Sequence, residues 1–330
     1  MKILVSEFIT GGGLIGESLT TSLLQEGRLM LDAIVSDLGE INSVEVFITL
    51  DPRCAMREIP RNCRSYIIKE NYFKSLSDFC HNVDAVLLIA PESDGCLEQI
   101  SQLVIDAGKL LLGSSPDVIK LTASKLLTAK FFVDKGISVV KTTLFDDSNI
   151  KAFTQENNQA WIVKPDGGVG CKDISICYSI NEIKDAAANC HQAIVQPKIE
   201  GIPASISLLC YQGECLAIGY NEQLIKCVEN KLSLVGLRIN ALLHFQEQLG
   251  LLAKQVCAAL PELKGYVGLD VIISEDDIVL IEVNPRMTTS YVGLKESINT
   301  NPAKLLLDML FENTLPILDS SEFKMITVNI

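Results

Sequence analysis

The sequence predicts two architectures in succession, an α/β part built on a parallel sheet and an α+β part built on antiparallel strands. Two observations carry this. Up to residue 113, short apolar runs alternate with stretches of helical spacing, the pattern of a parallel sheet covered on both faces. Beyond residue 137 the runs are short, rich in β-branched residues and joined by glycine turns such as Gln212-Gly213, which favour hairpins. At 330 residues the chain is too long for one average domain. The expected divisions are 1–115, 116–195 and 196–330.

Taken in order, residues 2–6 read as a strand that ends in Gly11-Gly12-Gly13. Leu19, Leu23, Leu24, Met30, Leu31, Ile34, Val35 and Leu38 then recur at roughly helical spacing. Strands follow near 44–50, 65–69, 85–90 and 109–113, with helices at 72–81 and 95–107. Two short helices, 116–121 and 123–135, come next, the second stopped by Gly136. Strands are expected at 138–142, 161–165, 174–177, 193–197, 205–211 and 214–220. Residues 221–240 are mixed in polarity and read as loop-rich. A helix at 241–259 precedes strands at 265–273 and 278–283, whose link Ser274-Glu275-Asp276-Asp277 reads as a turn.

Composition excludes several functions. A formal net charge of −13 argues against a nucleic-acid surface, which needs clustered Lys and Arg. The first residues are too short an apolar run for a signal segment, and no stretch approaches the ~18 apolar residues of a membrane span. A cytoplasmic protein is expected. The eleven cysteines are odd in number, with no C-x-x-C and no zinc spacing, so reduced and mostly buried thiols are expected.

The most informative stretch is Gly268-Leu269-Asp270-Val271 followed by Leu280-Ile281-Glu282-Val283-Asn284-Pro285-Arg286. Strand alternation puts Glu282 and Asn284 on one face, and a hairpin partner brings Asp270 beside them. Three oxygen donors then converge, the ligand type that hard cations require. A solvated strand face would look similar, but Leu280, Ile281 and Val283 make this strand apolar, where unpartnered acids are costly. A second such place is Trp161-Ile162-Val163-Lys164-Pro165, continued by Asp166-Gly167-Gly168-Val169-Gly170. Glycines let backbone N–H groups approach phosphate oxygens, and a lysine adds a point charge. A tight hairpin turn would show the same glycines.

The order Lys125, then Lys164-Pro165 with Gly167, Gly168 and Gly170, then Gln196-Pro197-Lys198-Ile199-Glu200-Gly201, then Asp270, then Glu282-Val283-Asn284-Pro285-Arg286 resembles the ATP-grasp superfamily. The likeness spans most of 109–304. It implies an ATP-grasp fold behind an N-terminal Rossmann-like, pre-ATP-grasp parallel-sheet domain, with ATP and Mg²⁺ (or Mn²⁺) as cofactors. By that resemblance Lys125 and Lys164 contact the ATP phosphates, and Gln196, Pro197 and Ile199 belong to the segment that holds adenine. Asp270, Glu282 and Asn284 hold metal, and Arg286 lies over the transferred phosphoryl group. A solvated helix face remains the other reading of Lys125. Many members place a ribose-binding carboxylate after the hinge; here Gly201-Ile202-Pro203-Ala204-Ser205 stands there, so Glu200 takes that expectation. Cys171-Lys172 is assigned no role.

The N-terminal Ser6-Glu7-Phe8-Ile9-Thr10-Gly11-Gly12-Gly13-Leu14, with Pro91-Glu92-Ser93-Asp94-Gly95, is similar to the branch that includes tyramine–glutamate ligases of methanofuran biosynthesis. The run from Asn284 to Tyr291 is similar to it as well. The implied reaction is ATP-dependent γ-glutamylation of an aromatic amine, with a small carboxylate and a small amine as partners. Glu7, Gly12, Gly13, Arg286 and Ser290 are the candidate substrate residues. Glu7, Glu92 and Asp94 at strand ends could receive a substrate ammonium or face solvent. Gly11–Gly13 could also be a plain turn, and it does not match G-x-G-x-x-G, which disfavours a nicotinamide site. His81, His191 and His244 fall in expected helices without an orienting partner. The rivals are a ligase for another acceptor and an ATP-binding regulatory protein. The oligomeric state is open, a homodimer included.

Overall fold

The computed structural model describes residues 1–54, 59–148, 150–155, 160–168 and 174–330. Strand β1 (Lys2–Glu7) is apolar on both faces: Ile3 and Val5 enter one core and Leu4 the opposite one. That requires cover on both sides, and a helix on each face supplies it. Around β1 lie helix α1 (Thr21–Gly39), β2 (Glu45–Leu50), β3 (Cys63–Ile67), α2 (Tyr72–Cys80), β4 (Ala85–Ile89), α3 (Cys96–Asp106) and β5 (Leu110–Leu111). The five strands are parallel, in the order β3-β2-β1-β4-β5. Chain direction across the sheet therefore reverses between β1 and β4, opening a crevice at their carboxyl ends, where open α/β sheets place ligands.

Two short helices follow, α4 (Pro116–Ala123) and α5 (Lys125–Val133), each started by a serine side chain: Ser115 accepts from Val118 N and Ser124 from Leu127 N. The chain continues as β6 (Thr143–Leu144), α6 (Ile150–Gln155), β7 (Trp161–Pro165), β8 (Ser175–Cys177), α7 (Ile180–Ala188) and β9 (Ala193–Pro197). Then come β10 (Ile202–Tyr211), β11 (Glu214–Val228), β12 (Lys231–Ile239), α8 (Gln246–Ala259), β13 (Gly265–Ile273), β14 (Ile278–Asn284), α9 (Leu294–Ile298), α10 (Pro302–Glu312) and β15 (Ile326–Asn329). These strands form an antiparallel sheet in the order β14-β13-β10-β11-β12-β8-β7-β9-β6, with β15 on β12. One face of β10, β13 and β14 is sealed by α8 through Leu249, Leu252 and Val256. A smaller core of Trp161, Val163, Ile183 and Val195 holds β7 to β9 and α7. Helix α1 packs on the segment around Tyr291 and on α10, and the Tyr291 hydroxyl donates to Asp37 Oδ2 at 2.8 Å.

Most expected elements appear, and three differ. Residues 221–240 are the second half of β11 and β12, turning at Glu229-Asn230, both with positive φ. Their half-exposed, mixed composition hides a ribbon that is held by ladder hydrogen bonds. Of residues 138–142 only Val139 pairs, in a parallel bridge to Leu280, and the strand proper is Thr143–Leu144. The expected helix at 241–259 begins at Gln246, after a single tight turn Leu243–Phe245. His191 lies beyond the end of α7, and His244 sits in that turn. Among the described residues no helix is long and apolar enough to cross a membrane. No disulfide joins the described cysteines, most of which are buried.

Candidate active site

The site is assembled from three pieces of backbone. The first is the β13–β14 hairpin, whose register sets Asp270 opposite Glu282 and Gly268 opposite Asn284. Gly268 is needed there, since a side chain would strike Thr288 at 2.8 Å. Asn284 Nδ2 donates to Asp270 Oδ2 at 3.2 Å, and Gln223 Nε2, reaching across from β11, donates to Asp270 Oδ1 at 2.8 Å. The second piece is the start of α5. Lys125, buried at 5% exposure, extends Nζ to Glu282 Oε1 at 3.0 Å, Gly168 O at 2.6 Å and Asp166 O at 3.3 Å. The third is the end of β7, which brings Lys164 to the same cavity.

Asp166 couples the last two pieces. Its carboxylate accepts from Ser124 Oγ at 2.6 Å and from the Leu126 backbone N–H at 2.8 Å, so the residue that opens the glycine loop caps the helix that carries Lys125. A carboxylate at a helix N-terminus also meets the positive end of the helix dipole.

The electrostatics of the face fit a divalent cation. Burial, and then the neighbouring Glu282 charge, push the Asp270 carboxyl up to about 7, against the opposing hydrogen bonds from Asn284 and Gln223. Glu282 is also penalised by burial, but Lys125, Lys164 and Arg286 outweigh that and hold its carboxyl below the usual range. Two carboxylates pressed together with an amide oxygen form a hard-donor set that a cation would relieve. Among the described residues no group of three His, Cys, Asp or Glu gathers as a metal site, and this face offers two carboxylates and an amide.

Lys125, Lys164, Asp270, Glu282, Asn284 and Arg286 all line one cavity of about 860 Å³ of solvent-connected space, joined by Gly168 and Ser290. Ser290, 3% exposed, lies in a hydroxyl network with Ser207 (3.0 Å), Tyr266 (3.0 Å) and Thr288 (2.9 Å). Arg286 is anchored by Nη1 on Met287 O at 3.1 Å, and its Nε lies 2.8 Å from Glu92 Oε1 of the N-terminal sheet.

Other candidates are placed apart. Gly167 precedes the cavity wall, and Gly170 lies outside the described residues, as do Cys171 and Lys172. Gln196 is fixed by Nε2 on Thr142 Oγ1 at 2.9 Å; it and Pro197 end β9, Ile199 and Glu200 lie in the link to β10, and none of the four lines the cavity. Glu200 is exposed and pairs with Lys198. Glu7 is turned inward to its own loop, accepting from Ile9 N (3.1 Å), Thr10 N (2.6 Å) and Thr10 Oγ1 (2.6 Å). Gly12 and Gly13 do not line the cavity either: a side chain at Gly13 would meet the Phe8 ring at 2.3 Å, and Gly12, at φ +99°, would press on Ile68. Close packing explains these two glycines, as in the plain-turn alternative. Asp166, Gln223 and the Glu92–Arg286 pair were not found from sequence, because each acts across tens of residues.

Comparison with known proteins gives this arrangement its family. Residues 122–290 match the ATP-grasp domain and residues 44–119 the pre ATP-grasp 3 domain. The tyramine–L-glutamate ligase of Methanocaldococcus jannaschii is 28% identical over 297 residues, covering 88% of this chain and 83% of that protein. A putative ATP-grasp superfamily protein from Archaeoglobus fulgidus superposes with a TM-score of 0.71 at 21% identity, covering 100% of this chain and 99% of that one. The biotin carboxylase domain of Hydrogenobacter thermophilus 2-oxoglutarate carboxylase, solved with MgADP, gives 0.74 at 16% identity, covering 98% and 72%. With its parallel-sheet domain leading into a lysine- and carboxylate-lined cavity, the chain belongs to the ATP-grasp family of ATP-dependent ligases, which form C–N bonds with ATP and Mg²⁺.

Proposed function

We propose that the chain joins the γ-carboxylate of L-glutamate to a small aromatic amine, with tyramine the first amine to test. The observation that carries the catalytic part is the convergence of Lys125, Lys164, Asp270, Glu282, Asn284 and Arg286 on one cavity. The choice of substrates leans on the 28% identity, over most of both chains, to a tyramine–L-glutamate ligase.

In this reading Lys125 and Lys164 take the phosphates of ATP, and the N–H groups of the glycine loop add donors beside them. Asp270, Glu282 and Asn284 would hold Mg²⁺, which would supply positive charge to offset that of the phosphates. The substrate carboxylate attacks the terminal phosphoryl group in line and ADP leaves, giving an acyl phosphate. Arg286 faces the charge that develops. The amine, as the free base, then attacks the acyl carbon, the C–O bond to phosphate breaks, and phosphate departs with its electron pair and takes up the proton that the nitrogen sheds. Gln196, Pro197, Ile199 and Glu200 serve adenosine in the same scheme. A cytoplasmic setting and a homodimeric assembly belong to the proposal, and light scattering tests the second.

The experiment is an ADP- and phosphate-release assay with MgATP, L-glutamate and a panel of amines that includes tyramine. The proposal expects release that depends on both glutamate and an aromatic amine. Turnover only with other carboxylates or amines would replace the substrates, and no ADP with any pair would favour an ATP-holding regulatory protein.

A further inference from the structure

One buried group plays no part in the scheme above. Glu92 follows β4 at the crevice between β1 and β4; it is 6% exposed, and neither of its carboxylate oxygens accepts a hydrogen bond. The charge beside it is Arg286, whose Nε stands 2.8 Å from Oε1 but is not aligned to donate. Desolvating a carboxylate without donors is costly, and native interiors rarely leave such groups unmet. The neighbouring acids differ. Glu7 is satisfied by three donors of its own loop, and Glu26, which reaches the cavity, is only half-buried. Among the described residues Glu92 is thus the buried carboxylate at this crevice short of hydrogen-bond donors.

What it lacks defines what it would take. An ionised carboxylate only accepts, so its ligand brings N–H donors, and burial favours one that also brings positive charge. Arg286 fills this need in part, yet the same guanidinium lines the cavity and lies in the field of Glu282 and Asp270. When an anionic acyl phosphate draws Arg286 toward the cavity, Glu92 loses the cation beside it. We infer that Glu92 receives the ammonium group of the amine substrate, exchanging Arg286 for it once the carboxylate is phosphorylated, its carboxylate taking the proton that the nitrogen must lose before it attacks. The inference rests on the ligase reading and adds to it the residue that selects a charged primary amine. Amine binding then follows phosphoryl transfer, which keeps the acceptor out until there is something to accept.

The test compares tyramine with hydroxylamine, a nucleophile that is neutral at pH 7.5 and traps the same acyl phosphate as a hydroxamate. Wild type and Glu92→Gln are assayed with MgATP, L-glutamate and either nucleophile. The expected result is a KM for tyramine raised about 10- to 100-fold, the loss of a charge-assisted hydrogen bond. Hydroxamate formation and the KM for ATP should change by less than about threefold. Glu92→Asp, which keeps the charge at a longer reach, should lie between, and it carries the comparison if the Gln variant does not fold. Equal losses with both nucleophiles would mean that Glu92 serves only to hold Arg286, and an unchanged tyramine KM would mean that it does not meet the amine; either overturns the inference. A wild-type protein that makes no hydroxamate from L-glutamate would overturn the ligase reading itself, and this inference with it.

Discussion

Replacing Lys125 by Met removes the ammonium from the carboxylate face while keeping most of the side chain's volume. Lys125 Nζ lies 3.0 Å from Glu282 Oε1, with both groups largely withdrawn from water. At an effective dielectric of about 20 such a contact is worth about 5.5 kcal/mol of Coulomb energy. Part of that is offset because the variant no longer desolvates a lysine, and Lys164 and Arg286 still act on Glu282. Breaking a buried pair from one side typically costs about 3 kcal/mol or more, and a net loss of about 3 kcal/mol is expected here. Differential scanning fluorimetry without ligands should read this as a melting temperature lower by several degrees. The same experiment with Mg²⁺ alone separates a cation site from a structural ion pair. With Lys125 gone, Asp270 and Glu282 face each other less compensated, so Mg²⁺ should raise the melting temperature of the variant more than that of the wild type. MgATP should protect it less, since a phosphate contact is lost. A variant as stable as the wild type, or one no more responsive to Mg²⁺, would refute the charge arrangement.

Glu282→Gln should cut ADP release by about 100-fold or more while leaving the fold intact, because a carboxylate of the metal face is exchanged for an amide of the same shape; steady-state kinetics beside a thermal melt checks both. Asp166→Ala removes the acceptor of Ser124 Oγ and of Leu126 N, so stability should fall by about 1–2 kcal/mol. The KM for ATP should rise with it, because the glycine loop is no longer tied to the helix that carries Lys125. Burial raises the Asp37 carboxyl above its ordinary value, against the opposing Tyr291 hydrogen bond and the Lys295 charge. The folded state therefore holds that proton more tightly than the unfolded one, and the resulting stability is present below about pH 3.8 and lost as pH rises through the folded value. Thermal melts from pH 4 to pH 7 should show wild type losing ground to Asp37→Asn as pH rises, and parallel curves would remove Asp37 from that role.

The parts of the site written in local periodicity were legible before any coordinates. Alternation along residues 278–283 put Glu282 and Asn284 on one face, and the short Ser274–Asp277 link implied the hairpin that sets Asp270 opposite Glu282. Lys164 was legible for a similar reason, ending an apolar strand at a glycine loop. The ribbon at 221–240 was not, because its exposed tip at residues 226–231 mixes polar and apolar side chains and the apolar alternation of Leu232 and Leu234 is put out of step with Leu237 and Ile239 by an irregularity at Val235. Gln223, which orients Asp270, was lost with it. Glu92 was named from sequence as a place for an ammonium, but its pairing with Arg286, like that of Asp166 with Ser124, was not legible, because no local pattern encodes a contact made by the packing of separate elements. At the N-terminal glycines the sequence suggested a ligand loop or a turn, and the Phe8 and Ile68 contacts favour the turn.

The most direct measurement is a crystal structure of the protein with Mg²⁺ and a non-hydrolysable ATP analogue. The expected result has the triphosphate between the loop after Lys164 and the β13–β14 hairpin. Mg²⁺ would lie on Asp270, Glu282 and Asn284, and the Lys125 and Lys164 ammonium groups on phosphate oxygens. Nucleotide seated in the crevice of the N-terminal parallel sheet, or metal bound away from Asp270 and Glu282, would contradict it.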